Sequence, residues 1–301
     1  MKIGILSFKP IDKKASPEEL RLKKEAIKAG HKARILRADK CTMYFNHQLK
    51  ARYNGKEDLS TYDIIIPRVS LNCRAPIEAA IVEQIQLLNV PSLNTYSSIT
   101  RAKNKLQSLQ ILNHYDIPVV KTVVIKNEAY LEKTLAYVKT PLIIKSAHGS
   151  YGRGIIIAET KRAAKAAYSI LAAKTVLIQE YIKESKGKDI RVFVIGNRVI
   201  ASMERAARRG EFRSNIELGG TGKAIKVNRE YKNLAIRAAK ALDLEVAGVD
   251  IIATKNGPAV MEVNANPGFK EIEEVSGVNI AEKIIKHAIK YTQQFISRYD
   301  I

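Results

Sequence analysis

Between Val246 and Gly268 the chain reads VAGVDIIATKNGPAVMEVNANPG, two short apolar runs, Val249–Ala253 and Ala259–Val263, either side of a turn at Lys255-Asn256-Gly257. A two-residue Asn-Gly turn would put Asp250 opposite Val263, a carboxylate against a core residue. A three-residue loop with Gly257 left-handed instead puts Asp250 opposite Glu262, with Val249, Ile251 and Ala253 facing Val263, Met261 and Ala259. Only this second register keeps the apolar residues on one face. Glu262 and Asn264 then share the other face with Asp250, because strand side chains repeat every second residue. Two carboxylates and an amide oxygen form the hard-oxygen set that magnesium bridging phosphates requires. The same residues also suit a polar face turned to solvent. The breaker-rich tail Asn264-Ala265-Asn266-Pro267-Gly268 favours a ligand.

A chain of 301 residues is long enough for two or three small domains. Its formal charge of +21 attracts polyanions: nucleotides, nucleic acid, an acidic peptide or an anionic membrane surface. A lysine-rich surface that only maintains solubility gives the same total. The basic residues are spread along the sequence, which argues against a disordered nucleic-acid arm. Cys41 and Cys73 are too isolated for a disulfide framework or a zinc site. No apolar run has the length of a signal peptide or membrane span, so the expected location is cytoplasmic.

Residues 1–95 read as an open α/β unit. A strand at Lys2–Phe8 precedes Ser16-Pro17-Glu18-Glu19, a capping box with proline at the first helical position. Gly30 is a suitable left-handed stop, and strands follow at His31–Leu36 and Asp63–Pro67, then a helix over Pro76–Leu88. The pattern is Rossmann-like but lacks the G-x-G-x-x-G fingerprint. Arg68, Asn72 and Arg74 lie where open α/β sheets place ligands, although structural use of surface arginines is common. A polar texture around Leu93–Ser98 marks a joint.

Beyond it the spacing predicts a helix from about Ser98 to His114 carrying Lys103 and Lys105, a strand at Pro118–Ile125, a helix near Glu128–Val138 and a strand at Leu142–Lys145. The loop from Ser146 to Gly154 holds three glycines in six positions, able to curl backbone N–H groups around an anion; it is not a Walker loop, and Gly-rich hairpins are often only hairpins. After a strand at Ile155–Ala158 and a helix at Lys161–Ala173, TVLIQEYI ends in Gln179-Glu180-Tyr181-Ile182, an edge that could hold a nucleobase or be an ordinary buried strand. A hairpin, Asp189–Ile195 and Arg198–Arg205 about Gly196-Asn197, feeds a long loop, 206–222, with Arg205, Arg208, Arg209, Arg213, Asn215 and Gly219-Gly220. Dense arginine beside glycine suits phosphate clamping. Helices over Glu230–Leu242 and from Asn279 complete the pattern.

The order of these features (a lysine, a lysine before a Gly-rich loop, a QEY strand end, an arginine loop, then Asp…Glu-x-Asn) resembles the ATP-grasp ligases from about Lys103 to the last helix. Within that superfamily, RSN followed by GG, AGVDI, MEVNANPG and GVNIAEKII resemble the RimK-like α-L-glutamate ligases, which act on a ribosomal protein. The resemblance implies a three-domain ATP-grasp fold, mixed α/β: an N-terminal Rossmann-like pre-ATP-grasp domain over 1–95, a central domain over 96–182 and a C-terminal domain over 183–301. It implies ATP with Mg2+ or Mn2+, two ions, and glutamate joined to an acidic peptide or protein C-terminus in a homo-oligomer, a tetramer among relatives.

The roles it implies fall on numbered positions. Lys105 and Lys145 would hold nucleotide phosphates, and His148, Gly149, Ser150, Gly152 and Gly154 would close over them. Gln179, Glu180, Tyr181 and Ile182 would frame the adenine, and Asp189 would meet the ribose. Arg205 would join the nucleotide contacts, Arg213 and Asn215 would stabilise the transferred phosphoryl group, and Asp250, Glu262 and Asn264 would hold the metal. Two departures stand out: His148 occupies a position commonly acidic in such loops, and Glu217-Leu218 replaces a His-Arg pair before the double glycine. The second removes a cation from where an incoming acid could be read. Alternatives are a ligase acting on a small cofactor or an amino-group carrier protein, and a basic ribosome- or nucleic-acid-binding protein on a degenerate fold.

Overall fold

The computed structural model describes residues 1–9, 13–69, 79–146, 155–171, 175–185, 187–208 and 219–299. Strands β1 (Lys2–Ser7) and β2 (Lys32–Arg37) flank the helix Pro17–Lys28, whose capping box is formed as expected: Ser16 accepts from the Glu19 amide and Glu19 from the Ser16 amide. A three-stranded antiparallel meander follows, β3 (Cys41–Asn46), β4 (Gln48–Tyr53) and β5 (Glu57–Asp58); it departs from the sequence reading, which assigns nothing there. Its turns pass through His47 and Asn54 at positive φ. β6 (Ile64–Arg68) then pairs in parallel with β1, giving the sheet β2-β1-β6.

The helix expected over 98–114 is two helices, Tyr96–Lys103 and Lys105–His114. Asn104 breaks them, its side chain accepting from the amides of Leu106 and Gln107 as the N-cap of the second. Strands β7 (Thr122–Ile125), β8 (Leu142–Ser146), β9 (Ile155–Ala158) and β10 (Val176–Glu180) form an antiparallel sheet in the order β7-β10-β8-β9. Ile125, Ile144, Val176 and Ile178 on one of its faces bury against the helices Leu131–Tyr137 and Lys161–Leu171. The last sheet, β13-β12-β11-β14-β15, is built from β11 (Lys188–Ile195), β12 (Arg198–Ala206), β13 (Thr221–Ala224), β14 (Val246–Thr254) and β15 (Gly257–Asn264). Ala247, Val249, Ile251 and Val263 bury against the helix Arg229–Ala241 on its apolar face. No helix among the described residues is long and apolar enough to cross a membrane.

The ends of the chain share one core. Ile3, Ile5, Leu22 and Ile64 pack with Phe193, Phe269, Ile280, Ile284 and Ala288, so the final helix Ile280–Tyr299 lies on the helix Pro17–Lys28. The sheet of β7 to β10 has a core of its own and meets β14 and β15 through Val120, Ile182, Ile252 and Ala259. Ala102, Leu112 and Ile117, from the segment ahead of β7, pack with the core beneath β14.

Asn94 ties the joint predicted near Leu93–Ser98 to the C-terminal sheet. Its amide donates to the carbonyls of Val246 and Ala265, both at 2.7 Å, and its carbonyl accepts from the amides of Glu245 and Val246. The side chain is 3 % exposed, and truncation would leave buried backbone groups unpaired. Asn94→Ala is therefore expected to lower the unfolding free energy by about 3 kcal/mol in urea titrations.

Candidate active site

Asp250 faces Glu262 across β14 and β15, as the sequence predicts, but by another route. The chain turns through two residues, Lys255 and Asn256, with Thr254 opposite Gly257, and a bulge between Asp250 and Ile251 shifts the register. Ile251 therefore faces Val260 and Ala253 faces Pro258, where Met261 and Ala259 were expected. The two-residue turn alone would place Asp250 opposite Met261; the extra bulge residue restores its pairing with Glu262. Asn264 lies opposite Gly248. A Cβ on Gly248 would come 2.8 Å from the Cβ of Pro267, so glycine there lets the loop after β15 fold back on the sheet.

Four charged groups on this face interlock. Asp250, 4 % exposed, accepts from Arg191 through both oxygens, Nε to Oδ1 and Nη2 to Oδ2, each at 2.8 Å. Arg205 Nη2 lies 2.9 Å from Oδ2 of the same carboxylate, and Arg205 also forks onto Asp189 at 2.7 and 2.9 Å. Burial alone would push the Asp250 carboxyl up, but Arg191 and Arg205 hold it below the usual carboxylate range. Burial likewise opposes the charge on Arg205, and Asp250 and Asp189 outweigh it. Asp189, expected at a ribose, is thus buried against Arg205. Arg191, central to the arrangement, was not singled out from sequence, and a lone arginine in an apolar strand carries no signal of its partner.

Glu262 has a different environment, with its side chain 45 % exposed. Lys105 Nζ, from the first turn of its helix, stands 3.8 Å from Glu262 Oε1. Lys145, on β8, donates to Gln179 Oε1 at 2.9 Å, and Gln179 donates to Thr122. The Lys145 ammonium is pushed down to about 8, chiefly by burial; Glu262 opposes the shift and Lys105 adds to it. Lys105, Lys145 and Glu262, far apart in sequence, therefore lie close together, Lys145 on β8 and Glu262 on β15. Strand alternation gives Glu180 the face opposite Gln179. Tyr181 and Ile182 follow the strand, with Ile182 buried in the cluster that joins the sheets.

Arg68 takes the structural role. It donates to the Pro267 carbonyl at 3.0 Å and lies over the Phe269 ring, while Asn266 donates to the Val69 carbonyl. These contacts staple the loop after β15 to the end of β6. Asn72, Arg74, His148, Gly149, Ser150, Gly152, Gly154, Arg213, Asn215 and the pair Glu217-Leu218 lie outside the described residues.

Among the described residues no three His, Cys, Asp or Glu side chains cluster as a metal site, and the oxygen donors that the sequence offers a divalent ion here are Asp250, Glu262 and Asn264. Their chemistry fits a hard cation. An ionised carboxylate offers about four acceptor positions. The two arginines take three on Asp250 and leave one on Oδ1. Glu262, on the exposed side of the pair, is the freer oxygen donor.

Residues 1–99 match the RimK pre-ATP-grasp domain and residues 102–288 the RimK-like ATP-grasp domain. A probable alpha-L-glutamate ligase of Coxiella burnetii is 42% identical over 290 residues, 95% of this chain and 94% of that one. A probable alpha-L-glutamate ligase 1 of Shewanella frigidimarina is 39% identical, covering 92% and 93%. Among solved structures, a RimK domain ATP-grasp protein from Sphaerobacter thermophilus superposes with a TM-score of 0.74 at 19% identity, over 96% of this chain and 99% of that one. The D-alanine–D-alanine ligase of Bacillus anthracis, complexed with ATP, gives 0.71 at 17% identity over 99% of both. With two adjoining domain matches and curated relatives alike almost end to end, this chain belongs to the RimK-like ATP-grasp ligases.

Proposed function

We propose that the protein is an ATP- and magnesium-dependent carboxylate–amine ligase that adds glutamate to a protein C-terminus or to an oligoglutamate chain. The observation that carries this reading is the meeting of the Lys105, Lys145 and Glu262 charges, with Asp250 opposite Glu262. Two ammonium groups beside a carboxylate pair suit a nucleotide triphosphate with its divalent ion. Asp250, Glu262 and Asn264 would hold Mg2+, which when bound supplies Lewis-acid neutralisation of phosphate oxygens. Lys105 and Lys145 would orient the phosphates.

In the reaction an acceptor carboxylate oxygen attacks the γ-phosphorus and ADP leaves, giving an acyl phosphate. The glutamate amine then attacks the acyl carbon, phosphate departs with the original carboxylate oxygen, and the amine loses a proton. Charge builds on phosphoryl oxygens, so cations held in place contribute more than a covalent nucleophile would. The names of the sequence relatives support glutamate as the added amino acid. PsnB, an ATP-grasp ligase of similar fold, has been solved with a precursor peptide, and the basic balance of this chain suits an acidic acceptor.

The test is mass spectrometry of products after incubation with ATP, Mg2+ and each amino acid in turn, with acidic peptides as acceptors. Glutamate additions to a peptide C-terminus are expected; ADP release that glutamate does not stimulate would overturn the reading. A pH profile gives a second check. Lys145 is protonated, and attractive to phosphate, below about pH 8 and loses that charge above it. The kcat/KM for ATP reports the free enzyme, so it should fall as pH rises through about 8. Lys145→Met should lower the plateau and remove that descending limb.

A further inference from the structure

The sheet of β7, β10, β8 and β9 has an open edge that the ligase chemistry does not use. Among the described residues β7 pairs with β10 alone. The Glu180 amide donates to the Lys121 carbonyl at 2.9 Å, which sets the phase of the ladder. In an antiparallel pair the bonded positions alternate, so Val123 and Ile125 turn their N–H and C=O groups toward β10, and Thr122 and Val124 turn theirs outward. Beside that edge lies a groove of about 550 Å³ between β7 and the helix Leu131–Tyr137. Tyr130, Lys133 and Tyr137 line it at helical spacing, and Lys126 lines it from the end of the strand. The two tyrosines are 59% and 61% exposed. The Lys121 ammonium sits 3.6 Å above the Tyr137 ring centroid. Among the described residues no carboxylate lines the groove, and neighbouring Glu132 is paired with Lys165.

We propose that this groove docks an extended acidic peptide, which adds to β7 as a fifth strand. The peptide main chain would pair with the outward groups of Thr122 and Val124, its carboxylates would meet Lys126 and Lys133, and Tyr130 and Tyr137 would cover its flank. Lysines beside an edge strand also discourage pairing between copies of a protein. Here they accompany two exposed aromatic rings that line a groove, which a guard against self-association alone does not require. β7 begins at Thr122, which accepts from Gln179, itself bonded to Lys145. A strand docked on β7 therefore leads toward the proposed reaction centre. That the peptide is the body of the acceptor rests on the ligase reading; its binding to the groove does not.

The experiment is fluorescence anisotropy with a labelled octaglutamate peptide and no nucleotide, on the full chain. Lys126→Glu/Lys133→Glu should weaken binding by at least about tenfold. Val124→Pro deletes one outward N–H and leaves the β10 pairing in place, so it should weaken binding severalfold at unchanged charge. Thermal melts confirm that the variants fold, and ADP release on a short acceptor should persist in both, separating failure of docking from failure of the ligase reading. Unchanged affinity in either variant would overturn the proposal. So would tighter binding of a single-stranded RNA of equal charge that is indifferent to Val124→Pro, or a dimer seen by light scattering that this substitution dissolves.

Discussion

Arg205→Met is expected to destabilise the protein by about 3–5 kcal/mol, because it removes the buried guanidinium that both Asp189 and Asp250 accept from. The pair side chains are only 5% and 3% exposed, so solvent does little to relieve the loss. Asp250→Asn should cost a comparable amount, since Arg191 and Arg205 would then share one neutral amide. The sign with pH follows from the direction of the Asp250 shift. Its folded carboxyl is held below the unfolded value, so its contribution is fully present above about pH 4 and is lost as pH falls through the folded value. Urea titrations across acid pH should show Arg205→Met with a smaller loss of stability on acidification than the parent chain. Equal stability of variant and parent at neutral pH would contradict the buried network.

Glu262→Gln should do the reverse: hold stability within about 0.5 kcal/mol and reduce turnover on the order of 10²-fold or more. Glu262 is nearly half exposed and makes a 3.8 Å contact with Lys105, so little folding energy depends on it. Its charge faces the proposed metal and phosphates, so catalysis would depend on it strongly. Asp250 and Glu262 face each other in the ladder, yet one is tied into the fold and the other is nearly half exposed. Urea titrations with steady-state ADP release measure both quantities; near-normal turnover in Glu262→Gln would remove it from the site.

Much of this was legible in the sequence because local signals carried it. The Ser16–Glu19 box, the glycine at position 30, the Gly196-Asn197 hairpin and the pairing of Asp250 with Glu262 all depend on neighbours within a few residues. The meander of β3 to β5 is hard to read because its strands are largely exposed, with little apolar alternation, although Asn54-Gly55, both at positive φ, is a hairpin turn signal that marks the step from β4 to β5. The break at Asn104 was hidden because its cap follows directly on the preceding helix. The bulge after Asp250 shows how a correct pairing can rest on an incorrect turn. Least legible were the roles of Arg191, Asn94 and Asp189, since each depends on a partner from a different strand or joint.

Isotope transfer tests the central claim most directly. An acidic peptide whose C-terminal carboxylate carries ¹⁸O is incubated with ATP, Mg2+ and unlabelled glutamate, and the released phosphate is analysed by mass spectrometry. An acyl phosphate formed on the acceptor requires one labelled oxygen to leave with inorganic phosphate as glutamate is added. Glutamate addition with unlabelled phosphate, or with AMP in place of ADP, would contradict it.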